Sequence, residues 1–208
     1  MKSLFGVVLC AALATGCGVR RVPDSIIDKL PYEARIELLE AENDLALAVD
    51  RLDESHNEVV RTRELIHRAK DRLKAANAEV SNAADALSKE VAELAVVEGE
   101  ARVDYLKARQ KVNVKEEDLA SLFLRCSYTR FEQSRLAAAR KAKLEGSESL
   151  DPADFENDVK ACDEKHTAEK EAMKEQEGEA STLRANWDAS KEKLAKKTFD
   201  ARASPYVE

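Results

Sequence analysis

Residues 34–94 read ARIELLEAENDLALAVDRLDESHNEVVRTRELIHRAKDRLKAANAEVSNAADALSKEVAEL. Counting by seven from Leu38 gives Leu45, Leu52, Val59, Ile66, Leu73, Val80, Leu87 and Leu94, all of them aliphatic. Counting by seven from Ala34 gives Ala41, Ala48, Ser55, Thr62, Ala69, Ala76 and Ala83, all of them small. The two rows lie three and four residues apart, so a helix merges them into one stripe. A strict seven-residue repeat keeps that stripe facing a partner when the helices supercoil left-handedly.

Working outward, the same phase continues through Ala101 and Ala108. Proline is absent between Pro31 and Pro152. One helix is therefore expected from Tyr32 to Glu145, roughly 170 Å at 1.5 Å per residue. Gly99 and Val112-Asn113-Val114 are the weak points. A turn near 99 or 113 would instead give an elongated three-helix bundle. The strong break is Glu145-Gly146-Ser147-Glu148-Ser149-Leu150-Asp151-Pro152. Gly146 suits a helix C-terminus, and Asp151 suits an N-cap with Pro152 at the first helical position.

A second helix is expected from Pro152 to Ala203. Phe155, Val159, Cys162, His166, Glu169, Met173, Gln176, Ala180, Leu183, Trp187, Ser190 and Leu194 follow spacings of four and three. A short loop makes the two helices antiparallel neighbours. The fold class read from the sequence is thus all-α, a long antiparallel coiled-coil hairpin. The small row lets backbones approach closely and resembles alanine-type antiparallel coiled coils, a likeness of geometry alone. Folding about residues 147–148 opposes positions whose numbers sum to about 295. The returning helix then covers only residues 95–144. The stripe Leu38, Leu45, Leu52, Val59, Ile66, Leu73, Val80, Leu87 and Leu94 needs either a fold-back of the first helix or an outside partner, a second copy or an envelope protein.

Composition agrees with long solvated helices. Of the 208 residues, 36% are charged and 5% aromatic, against about a quarter charged in an ordinary globular domain. The net charge of −7 excludes a general nucleic-acid binder, which requires clustered basic charge.

At the amino terminus, Lys2 precedes an apolar run, Leu4 to Ala14, too short to span a bilayer. It ends in Leu13-Ala14-Thr15-Gly16-Cys17. This stretch resembles the lipobox of bacterial lipoprotein signal peptides, with Ala14 where Leu is commoner. The resemblance covers seventeen residues. It implies removal of residues 1–16, a diacylglycerol on the Cys17 thiol and an acylated amine, palmitate being a common chain. Several acyl chains anchor firmly, at about 0.8 kcal/mol per buried CH₂. The absence of Asp at position 18 points to the outer membrane, with the chain facing the periplasm. Residues 17–31 then form the lipidated Cys and its tether, and residues 204–208 a short tail. Arg20 and Arg21 sit where anionic headgroups would be met.

Cys126 and Cys162 fall on seam positions and form a possible disulfide in an oxidising compartment. Their pairing needs a register sum of 288, one heptad from the tight-turn register. Cys162 and His166 share a helix face, as metal ligands can, but polar seam residues explain them more simply. His56 and His67 read as solvated. No nucleophile elbow, phosphate loop, CxxC or HExxH is present. The sequence therefore assigns no catalytic residue, no metal, no cofactor, no nucleic acid and no small-molecule substrate. The expected role is that of a non-enzymatic, lipid-anchored spacer, scaffold or adaptor of an envelope assembly. The alternatives are a periplasmic holdase-like chaperone and a cell-wall-binding lipoprotein.

Overall fold

Ala83, Ala84 and Asp85 interrupt the seven-residue repeat without breaking its phase. The computed structural model describes residues 19–198, and α1 (Asp24–Ile27), α2 (Tyr32–Asn82), α3 (Ala86–Lys141) and α4 (Pro152–Thr198) account for most of them. The architecture is all-α, with no strand among the described residues. The single helix expected over 32–145 is two helices, and the turn lies at 83–85 rather than near 99 or 113. Gly99 is buried inside α3.

The physical reason is a cap. Asp85 Oδ1 accepts from the Ser88 backbone N–H at 2.7 Å, and Oδ2 accepts from the Ser88 hydroxyl at 2.9 Å. This satisfies a helix-start donor that would otherwise be orphaned. Those hydrogen bonds, the backbone one first, hold the Asp85 carboxyl below its ordinary value.

The turn before α4 is built as two motifs. Leu144 N–H donates to Ala139 C=O and Lys143 N–H to Arg140 C=O, both at 3.0 Å. That pair of bonds is a Schellman end, with Lys143 at its left-handed position (φ 51°). The Gly146 expected to close α3 sits one step on. It has φ 90° and leads into a 3-10 turn over Ser147–Ser149. Asp151 caps α4 as expected, its Oδ1 accepting from Ala153 N–H at 3.0 Å.

Contacts divide the chain into two units, Met1–Leu45 with Arg125–Asp163, and Ala46–Leu124 with Glu164–Glu208. In the first, Val22, Ile26, Leu136, Ala139 and Phe155 form one cluster, and Leu30, Ala34, Leu38 and Ala138 another. The segment expected as a free tether is therefore docked from Val22 onward. Arg20 meets Asp154 and Asp158 rather than standing free, and Arg21 lies 5.4 Å from the Tyr128 ring centre.

In the second unit, Ile66 and Ala69 pack with Val103 and Leu106. Ala76 packs with Ala95 and Leu194, while Ala108 and Val112 pack with Ala180. Thr62 of the small row accepts from Asn113 Nδ2 at 2.7 Å, a buried polar cross-link between α2 and α3.

Candidate functional site

The stripe expected to seek a partner is mostly core. Leu38, Val59 and Ile66 are buried, and Leu45, Leu52, Leu73, Val80 and Leu94 are half-buried; Leu87 is 60% exposed. Within each unit, α3 supplies the covering face. The fold-back is the outcome, so the stripe as an outward interaction surface is corrected at the buried positions.

Cys126 and Cys162 are joined by a disulfide, with Cα atoms 5.5 Å apart. In the second unit Lys111 lies opposite Glu179 at 3.7 Å and Glu90 opposite Lys197 at 2.7 Å, pairs that sum to 290 and 287.

His166 of the weighed metal pair sits 5.6 Å, centre to centre, from the Phe123 ring. Among the described residues no group of three His, Cys, Asp or Glu side chains is placed to hold a metal ion. His56, expected as solvated, is exposed yet lies 2.8 Å from Glu117 Oε1. Cys17 lies outside the described residues.

The most built polar site is one that the sequence reading did not single out. Glu98 of α3 has no exposed surface, and its Oε1 accepts from Trp187 Nε1 of α4 at 2.6 Å. Tyr105 stacks on Trp187 with ring centres 5.6 Å apart. Arg184, Lys191 and Arg102 lie 4.5, 4.9 and 5.3 Å from the indole. Burial raises the Glu98 carboxyl above its ordinary value, although the Trp187 hydrogen bond and the charges of Arg102, Lys191 and Arg72 pull the other way. The carboxylate is enclosed by aromatic and cationic side chains, a buried polar layer between α3 and α4. The available signal was a Trp on a seam, which needs a partner for its N–H once buried.

The sequence matches no protein-family model, and no curated protein or solved structure matches it. The geometry therefore stands alone.

A cavity of about 680 Å³ lies where α2 turns into α3. Leu87, Val91 and Ala92 give it an apolar floor, with Lys196 and Lys197 at the rim. Both lysines are already paired, with Glu192 and Glu90. No helix among the described residues is long and apolar enough to cross a membrane.

Proposed function

We propose that this chain is a lipid-anchored, non-enzymatic periplasmic protein acting as a spacer, scaffold or adaptor in a cell-envelope assembly. The observation that carries the reading is the order of features in residues 1–17: a basic residue, a short apolar run and Leu13-Ala14-Thr15-Gly16-Cys17. Two further observations support it. The Cys126–Cys162 bond suits an oxidising compartment. Long helices with paired surface charges suit a part that holds distance or bridges partners.

The test is metabolic labelling with an alkyne-bearing palmitate, followed by membrane fractionation. Wild type should carry the label and sediment with outer membranes. Cys17→Ser should lose both while keeping its helical circular dichroism. A label that persists in Cys17→Ser, or an unlabelled wild type, overturns the anchor.

A further inference from the structure

α2 carries two apolar faces in its first half. One is core, formed by Ala34, Leu38, Ala41 and Leu45. The other is displaced by two residues, about 200° around the helix, and points away from the core. It consists of Tyr32 (74% exposed), Ile36 (47%) and Leu39 (51%). Large apolar side chains at i, i+4 and i+7 on one exposed face are the anchors of helix-to-helix recognition. Scattered single residues would need no explanation; a row in register does.

Charge says what covers the row. Between Tyr32 and Leu45 the sequence holds Glu33, Glu37, Glu40, Glu42 and Asp44 against one basic residue, Arg35; Glu37 is paired with Lys141 of α3 at 2.6 Å, which leaves the other four. Arg35 is turned back onto the Leu30 and Asp28 carbonyls at 3.0 and 2.7 Å, where it closes the end of α1. A seven-residue step places Glu33 and Glu40 on one line beside the apolar row, so carboxylates flank the anchors directly. Face-to-face pairing with a second copy would set these carboxylates against their own kind. An anionic lipid surface would meet the same repulsion. A cationic flank removes it, and opposite charges beside an apolar seam set partner choice in paired helices.

We propose that the outer face of α2 at Tyr32, Ile36 and Leu39 is the docking surface for an amphipathic helix with basic flanks. The span from Tyr32 to Leu39 is about 10 Å, matching some two turns of partner helix. The surface is distinct from the Leu38–Leu94 stripe, and docking on it is independent of the lipid anchor.

The test uses the full chain and a fluorescent sixteen-residue synthetic helix with leucines at spacings of three and four and lysines on both flanks. Its isomer with glutamates in place of the lysines is the control, and binding is read by polarisation. The lysine helix should bind at least tenfold more tightly than the glutamate helix. Tyr32→Ala with Ile36→Ala and Leu39→Ala should weaken it at least tenfold, with the melting curve unchanged because these side chains are exposed. Glu33→Lys with Glu40→Lys and Asp44→Lys should reverse the preference. Equal binding of the two helices, undiminished binding to the alanine variant, or a preference that does not reverse would each overturn the proposal. So would absence of peptide binding together with binding of phosphatidylglycerol vesicles that the alanine variant loses.

Discussion

Trp187 Nε1 donates to Glu98 Oε1 at 2.6 Å, joining the only indole in the chain to a carboxylate with no exposed surface. This bond ties α4 to α3 across their seam. It gives the second unit a polar layer whose ionisation the fold must accommodate.

That ionisation has a sign. The folded carboxyl sits above its ordinary value of 4.5, so the folded state holds the proton more tightly than the unfolded chain. The stability linked to protonation is fully present below about 4.5 and is lost as pH rises through the folded value. Glu98→Gln keeps an oxygen for Trp187 and removes the titration. The melting temperature of the variant minus that of wild type should therefore grow as pH rises above about 4.5, and level off once pH has passed the folded value. A difference that is flat with pH in thermal melts would refute ionisation of Glu98 within the fold.

Trp187→Phe removes the indole donor and leaves a buried carboxylate oxygen without it. The expected loss is about 1–3 kcal/mol in urea unfolding, the cost of an unsatisfied buried polar group. Combining it with Glu98→Gln should recover part of that loss, because the charge left behind is gone. Strict additivity in the double-mutant cycle would mean that the two groups do not act together.

The Cys126–Cys162 bond closes a loop of 36 residues. Chain-entropy arguments assign such a closure about 3–4 kcal/mol. Reductant should slow the chain on a denaturing gel and lower its melting temperature. Cys126→Ser with Cys162→Ser should match the reduced wild type and be indifferent to reductant. Alkylation of Cys126 or Cys162 in the unreduced protein, located by peptide mass spectrometry, would contradict the bond.

Backbone conformation gives opposite signs at three positions. Lys143 holds a left-handed φ of 51° at the end of α3, so Lys143→Gly should stabilise by about 1 kcal/mol. Gly146 has φ 90°, and a Cβ there would lie 3.3 Å from Ile26 Cδ1, so Gly146→Ala should cost about 1–2 kcal/mol. Gly178 is inside α4 with open space around its Cβ position, so Gly178→Ala should stabilise by about 0.5–1 kcal/mol. Chemical unfolding of the three variants checks the order.

Much of the helix content was legible because side-chain period is a local property. The seven-residue rows from Leu38 and Ala34 state which face of α2 is buried, and Asp151-Pro152 states where α4 begins. The turn at 83–85 was not legible from the rows. Val80, Leu87 and Leu94 stay in phase across it, so the periodicity is blind to a reversal of direction. The cap Asp85-x-x-Ser88 was the available signal, weaker than the Gly and Pro punctuation at 146–152. Lys143 at a left-handed position was also hidden, because the sequence offers Gly146 as the obvious candidate three residues away.

By itself, the sequence determined that this chain is helical, where its seams lie, that its amino terminus resembles a lipoprotein signal, and that Cys126 and Cys162 share a seam. Only the tertiary structure decided that α2 folds back on α3, that the cysteines meet, and that Glu98 is enclosed beside Trp187. The physical reason is range. Period, caps and processing motifs are set by residues within a turn or two of each other. Register, burial of a lone carboxylate and the choice between inner and outer apolar faces of α2 depend on helices far apart in the chain.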